Sequence, residues 1–478
     1  MEAVLNVAGT VFWGVVVFSV LVFLHEGGHF LAARACGVRV TEFFLGMPCR
    51  FSLSRASRRI GTRFGVTPVL LGGYAAICGM DPTESPCAPA VLALIHRKGS
   101  MTVADIASEL DVSEDEALEA CVLLLGWGSI APVYDREKGE GPSSKYYPSA
   151  YAAMPRDGDG DTIYDGRAFD RDGATQEGEP WEPTMGDDAF FERERSRTYL
   201  GKGFWKRAFM LVAGIGVNIV TGLIFMMCVY SVVGVEAPVD LDVIGGVEAG
   251  SPAEGAGLKA NDRIGSIDGE HVDTWTGIME ELSAKDPGQK ITLEVWRPND
   301  ARDAFSETEP AAGNEAWFEE HGSSLTLTAT LDGEGGLGIT VPQRTVRLNP
   351  IDSCRVAVSY IVQTAQTVVN LLNPHHTMEI LDNSASVVGI SVMSSRAAAS
   401  GPATFLNFMA LISFSLAFMN LLPLPPLDGG RLLIEVIQAV SRRQVPLRVQ
   451  NAISLVVIGL FLLLFVYMLH ADILRFIL

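Results

Sequence analysis

The sequence predicts a polytopic α-helical membrane protein with four transmembrane helices, a polar β-rich domain on the outer side and a small helical insertion on the inner side. Three observations predict it. Four apolar runs, near 3–24, 208–235, 403–422 and 452–469, approach the ~20 residues that a bilayer requires. Arg and Lys cluster beside these runs, which labels the cytoplasmic face. The 478 residues carry a net charge of −20, much of it in two polar regions between the runs. A positive mean hydropathy makes the chain too apolar for an ordinary soluble enzyme. The acidic balance argues against nucleic acid as the main partner, since a phosphate-binding surface needs positive potential. Seven cysteines are scattered at 36, 49, 78, 87, 121, 228 and 354 without a C-x-x-C pair. That pattern suggests neither a cysteine zinc site nor a redox motif and fits free thiols.

Residues 1–80 form the first predicted segment. An uncharged run from Val11 to Leu24 leads into His25-Glu26-Gly27-Gly28-His29. No basic region precedes the run, and His25 and Glu26 occupy the zone where a signal peptide would be cut, so it reads as a retained span. The helix is expected to continue to about Cys36. His25 and His29 are four apart and so share one helical face. Two neutral imidazoles on one face can grip one Zn²⁺, and a neighbouring carboxylate, Glu26, can take a proton from water. Ionisable groups at membrane depth are costly and usually functional. Arg34, Arg39, Arg50, Arg55, Arg58, Arg59 and Arg63 follow, which puts the N-terminus outside and the motif near the inner face. Residues 65–77 read as strand and glycine turn. Two readings of that strand stand equal: an ordinary hairpin, or an edge that pairs with an extended peptide.

Residues 88–150 read as an insertion of three helices, around 90–95, 103–110 and 113–126, with Ser113 as an N-cap. A β-hairpin is expected around Ile130–Tyr147. The order resembles a winged helix-turn-helix. Its third helix carries Glu114, Asp115, Glu116 and Glu119, which would repel phosphate. The module is therefore read as a cytoplasmic protein-interaction or regulatory unit of unknown partner, with no nucleic acid expected. Residues 151–195, rich in Asp, Glu and Gly, read as an acidic flexible linker. Asp157, Asp159 and Asp161 imitate a calcium loop, but Thr162 stands where that loop needs Gly. They are expected to be solvated acids.

Residues 196–235 hold the second span, preceded by Lys202, Lys206 and Arg207. Gly214 and Gly216 suit close packing against the first helix, and Asn218 reads as an interhelical hydrogen-bonding residue. Residues 236–346 form the outer domain. The stretch 250–272, with strand-like runs at 291–296 and 325–329, matches the bacterial PDZ pattern, whose domains take peptide ends as an added strand. Residues 298–322 look like a loop insertion. Across 350–402, Val356, Val358, Ile361, Val362, Val368 and Val369 mix with Arg355, Gln363, Gln366 and Asn370. That periodicity allows an amphipathic surface helix or a poor span. Topology decides for an interfacial helix and connector, because another span would turn the next one over. Residues 403–478 hold the third and fourth spans, with Arg442, Arg443 and Arg448 between them as inner-side markers.

A catalytic zinc takes three protein ligands and keeps one position open. Asp428, at the inner end of the third span, matches the depth of His25 and His29. Alone it would be a helix cap or a turn residue. His25-Glu26-x-x-His29, together with Asn420-x-x-Pro423-x-Pro425-x-Leu427-Asp428-Gly429-Gly430, resembles the site-2 protease family. One PDZ domain between spans two and three resembles its regulator of sigma-E protease (RseP) group. The resemblance covers 1–80 and 195–478, and the insertion and linker depart from it. It implies an intramembrane zinc metalloprotease acting in regulated intramembrane proteolysis, with His25, His29 and Asp428 as ligands and Glu26 as general base. It further implies that Asn420 holds the substrate backbone and that the strand bearing Gly72 and Gly73 pairs with substrate. Single-span membrane proteins, such as anti-sigma factors or remnant signal peptides, are the implied substrates. The region from Gly214 to Asn218 is similar to the family's second-span motif but lacks its proline. A rival reading is an idle membrane scaffold, against which the intact Glu26 speaks. A metal transporter would need further ligands in spans two and four, where none stands out.

Overall fold

A computed structural model describes residues 2–476 apart from 50, 71, 82, 138, 142–146, 306–319, 372, 374, 378–379, 381–383 and 444. The chain divides into two compact units, Cys228–Ser353 and the remainder on either side of it. In chain order, α1 (Glu2–Ala35) is followed by β1 (Val40–Leu45), β2 (Leu53–Ala56), β3 (Arg63–Val66) and β4 (Gly73–Ile77). Then come α2 (Ala88–Lys98), β5 (Ser100–Thr102), α3 (Val103–Leu110), α4 (Glu114–Gly126), β6 (Ile130–Val133) and β7 (Ala150–Ala153). Helices α5 (Asp187–Ser196) and α6 (Phe204–Met227) complete the N-terminal part.

The separate unit contains β8 (Val235–Pro238), β9 (Gly246–Val247), α7 (Pro252–Ala256), β10 (Arg263–Ile267), β11 (Glu270–His271), α8 (Trp275–Ser283), β12 (Lys290–Pro298), β13 (Gly322–Thr330), β14 (Ile339–Thr340) and β15 (Gln343–Val346). Its main sheet has the order β11-β10-β12-β13. Ile291, Leu293 and Val295 alternate inward along β12, the period-2 pattern of a half-buried strand. They meet Ile264, Ile267 and Ile278 in one apolar core. Most of the loop insertion read at 298–322 lies outside the described residues, as does 142–146 of the hairpin read at 130–147.

The chain ends with α9 (Pro350–Leu371), α10 (Val387–Ala399), α11 (Pro402–Leu421), α12 (Asp428–Ser441) and α13 (Leu447–Phe476). Among the described residues four stretches are long and apolar enough to cross a membrane: Val7–Ala35, Phe204–Val233, Pro402–Leu421 and Arg448–Asp472. Helix α9 is not among them. Helix α10, which the sequence reading left inside a connector, is a shorter apolar helix. It packs on α1 so closely that a Cβ at Gly14 would fall 2.1 Å from Ser391 Oγ. Its N-terminus is capped from α13, where Asp472 accepts the Ser386 and Gly389 amides at 2.6 and 3.1 Å.

Helix α6 lies between α1 and α11, and small residues make both contacts. A Cβ at Gly28 would sit 2.7 Å from the Ala213 carbonyl oxygen, and one at Gly222 would sit 2.4 Å from the Phe414 ring. Lipid offers no hydrophobic drive between helices, so close backbone approach and hydrogen bonds must supply the attraction. Ser413 donates such a bond to the Asn218 carbonyl at 2.7 Å. The sheet of order β2-β3-β1-β4 sits beside α1, with β4 at its edge and antiparallel to β1.

The flexible linker read at 151–195 is instead a packed segment. Glu194 is fully buried and receives Arg39, Arg156 and the Ser129 hydroxyl, while Arg39 also grips Asp165. Asp157 and Asp161 are buried too, not solvated. Asp157 accepts the Asp159 and Asp161 amides, and Asp161 pairs with Arg193 and Arg197. Composition counted these charges without their counterions, and pairing is what lets them leave water. The network spans four parts of the chain, the turn between α1 and β1, the segment beside β6, the acidic stretch and α5, and so fastens the insertion to the turn that follows α1.

Candidate metal centre

The H-E-x-x-H motif lies on the last turns of α1, as its apolar lead-in predicts. Asp428 opens α12, where a carboxylate is favoured by the helix dipole. Asp428, 403 and 399 residues beyond His25 and His29 in sequence, meets them in space. His25 Nε2 and His29 Nε2 each lie 3.1 Å from Asp428 Oδ2, and 3.2 Å from one another. A tetrahedral zinc with bonds of about 2.0–2.1 Å holds its ligand atoms about 3.3 Å apart, so this triangle fits that ion. Among the described residues this is the one group of three His, Cys, Asp or Glu side chains that converges in this way.

The fit extends to the groups behind the ligands. His29 Nδ1 donates to the Met210 carbonyl at 2.8 Å, which leaves Nε2 with its lone pair facing the centre. Asn218 presents its amide to His25 Nδ1 at 3.2 Å. Both supports come from α6. That helix can come this near only because position 214 lacks a side chain. A Cβ there would stand 2.4 Å from His29 Nε2 and 2.8 Å from His25 Cε1. The two histidines are almost wholly buried, so they are expensive residents unless they bind something.

Glu26 lines a cavity of about 220 Å³ together with His29, Ala75, Met80, Met210 and Asp428. Gly73 opens β4 over this carboxylate, and a Cβ on it would come 3.7 Å from Glu26 Cγ. Gly72 lies next to Met47 instead, with its missing Cβ 2.9 Å from that sulfur. Asn420 sits on the last turn of α11 and makes no side-chain hydrogen bond among the described residues. The structure therefore brings together His25, Glu26, His29, Gly73 and Asp428, and leaves Gly72 and Asn420 outside that contact. Sequence reasoning missed Met210; of the two glycines it gave to close packing against the first helix, Gly214 makes that contact, at the histidine rings themselves, and Gly216 has nothing within 4 Å of its would-be Cβ. Asn218 is the interhelical hydrogen-bonding residue the sequence suggests, and its partner proves to be His25. The signal available was a run of small residues on α6, which states closeness but not to what.

Comparison with known proteins agrees with this chemistry. A family model described as Peptidase family M50 matches residues 13–465. The chain is 26% identical to the zinc metalloprotease RasP of Geobacillus kaustophilus over 476 residues, which covers 97% of each protein. It is 27% identical to the regulator of sigma E protease of Salmonella typhi over 470 residues, covering 91% of this chain and 92% of that one.

Proposed function

The chain belongs to peptidase family M50, and from that premise we propose a hydrolytic site in which His25, His29 and Asp428 hold zinc and Glu26 is the general base. It is a zinc metalloprotease of the site-2 type with four candidate membrane spans. The observation that carries the assignment of residues is the triangle of three ligand atoms at 3.1–3.2 Å with Glu26 beside it.

Zinc, when bound, supplies a Lewis acid that lowers the pKa of water and polarises a peptide carbonyl. Glu26 takes the proton of the attacking water and passes it to the leaving amine. Met210 and Asn218 orient the two imidazoles. With its oxygen turned to the ring, the Asn218 amide accepts the His25 Nδ1 proton and leaves Nε2 free as a ligand. In the orientation observed Nδ2 faces the ring and Oδ1 is buried without a hydrogen-bond partner among the described residues, which this turn of the amide would relieve. A substrate helix hides its carbonyls in its own hydrogen bonds and must unwind before attack. The free edge of β4, with Gly73 over Glu26, is suited to hold the unwound stretch extended. Asn420, the penultimate residue of α11, is assigned the other side of that stretch.

Single-span membrane proteins are the substrates in this reading, with anti-sigma factors and remnant signal peptides as the two chemical types. The site lies near the cytoplasmic face, on the side of the Arg-rich segments, and residues 88–150 form a cytoplasmic winged-helix-like module. Residues 236–346 form an extracytoplasmic PDZ domain. Its groove is the cavity of about 430 Å³ between α8, at Met279 and Leu282, and the Gly335–Ile339 loop. A new peptide C-terminus or the bulk of an uncut ectodomain would be read there.

The test is cleavage of a single-span reporter by the purified protein, with bound zinc measured alongside. Wild type is expected to cut. Glu26→Gln is expected to keep zinc and lose cleavage by at least a hundredfold, and Asp428→Asn to lose both. Cleavage that survives in Glu26→Gln would remove Glu26 from its role.

A further inference from the structure

The catalytic cavity continues beyond the metal donors. Ile77 and Met80, which line it, also line a neighbouring groove of about 380 Å³. One wall of this groove is the chain just after β4, with Gly79, Asp81 and Thr83. The opposite wall is α4, whose residues 115, 118, 119, 122, 123 and 126 recur at helical spacing on one face. In a DNA-binding winged helix, the corresponding helix lies in the major groove. Here that helix walls a groove that shares Ile77 and Met80 with the cavity of Glu26, His29 and Asp428.

Charge and topology agree on what fits. Every charged side chain lining the groove is a carboxylate: Asp81 on one wall, Asp115 and Glu119 on the other. All three are exposed, and among the described residues none is in an ion pair. Asp115 and Glu119 are one turn apart on α4, a like-charge pair that a cation would relieve. Between the carboxylates lies an apolar floor of Leu118, Val122 and Trp127. Lys and Arg match such a surface, because their aliphatic stems lie on apolar groups while their heads reach the rim. A strand added to the free edge of β4 runs along Gly73–Ile77 and leaves its end at Gly79 and Asp81, inside the groove.

We propose that this groove binds the basic segment that flanks the cleaved span of a substrate on its cytoplasmic side. Spanning segments carry Lys and Arg on that side as a rule, so the groove presents carboxylates where an unwound span would deliver cations. The insertion is thereby a specificity element of the protease, reading the substrate flank. This rests on the proteolytic reading of the site and on the cytoplasmic placement of the insertion.

The test uses the full-length protein and three single-span reporters that differ only in a cytoplasmic flank of four Lys, four Gln or four Glu. Wild type is expected to show kcat/KM at least tenfold higher for the Lys flank than for the Glu flank, with the gap shrinking at high salt. Asp115→Lys/Glu119→Lys, two exposed positions, is expected to reverse the order while zinc content stays unchanged. Cleavage by wild type with no preference among flanks, or the same preference in both enzymes, would overturn the groove and leave the protease reading intact. Absence of cleavage of every reporter would count against the protease reading itself. A separate arm then decides the groove: a labelled Lys-flank peptide is titrated onto full-length Glu26→Gln. Binding weakened at least tenfold by the paired Lys substitutions supports the proposal, and equal or absent binding overturns it.

Discussion

Three atoms define the centre, but the residues that allow them to meet are two that bear no ligand. Gly214 is a gap that admits the histidine rings, and Asn218 is a brace on one of them. Gly214→Ala would push a methyl carbon to 2.4 Å from His29 Nε2, so α6 or the ring must move. Gly216, two residues on, has nothing within 4 Å of its would-be Cβ. We expect Gly214→Ala and Asn218→Ala each to weaken zinc binding by about 10–100-fold, the usual range for losing support behind a ligand. Gly216→Ala should leave it unchanged. Competition with a chelator, followed by zinc analysis, measures this without reference to proteolysis. Equal affinity in Gly214→Ala would mean that α6 does not set the ligand geometry.

At the scale of elements, the insertion is held by a buried ion network. Burial alone would raise the Glu194 carboxyl, but the Arg156 and Arg39 guanidinium groups outweigh it and hold it well below its ordinary 4.5. The stability it contributes is present above about pH 4.5 and is lost as pH falls through the depressed value. His96, which accepts from Arg156 Nε at 3.2 Å, is pushed down from 6.5 to about 3 by burial and by that arginine. Its neutral ring is the folded form, so the protein loses stability as pH falls from 6.5 towards 3. The melting temperature should therefore begin to drop below pH 6.5 and drop more steeply below 4.5. Glu194→Gln leaves two buried guanidinium groups short of their counterion and should cost about 3–5 kcal/mol at neutral pH. Chemical unfolding followed by the fluorescence of Trp127 and Trp181, both in or beside the insertion core, reads this directly. A flat pH profile would mean that the network is not what fastens the insertion.

At the scale of the whole molecule, the catalytic unit and the β-rich unit are separate compact bodies, and the metal donors all belong to the first. Deleting residues 236–346, with a short linker in their place, should therefore leave zinc content unchanged. It should also remove the preference for a pre-trimmed over a full-length substrate, measured as the ratio of cleavage rates. A preference that survived the deletion would take the proposed size filter away from the β-rich unit.

The sequence by itself determined the four apolar helices, the H-E-x-x-H face and the candidacy of Asp428. Local rules govern each of these: hydropathy over a window, a four-residue helical repeat, and a carboxylate at a matching depth. The tertiary structure decided what depends on neighbours far away in the chain. It turned the acidic stretch at 151–195 from a linker into a packed segment, because Arg39 and Arg156 neutralise charges that composition could only count. It made α10 a helix against α1, capped by Asp472 from 83 and 86 residues further on. It set Gly73 over Glu26 and Gly72 beside Met47, a distinction that adjacent glycines on one turn do not reveal. It also set the acidic face of α4 on a groove that shares Ile77 and Met80 with the cavity of the candidate metal donors. Which face of a helix meets which cavity is fixed by long-range packing, and no local pattern carries that information.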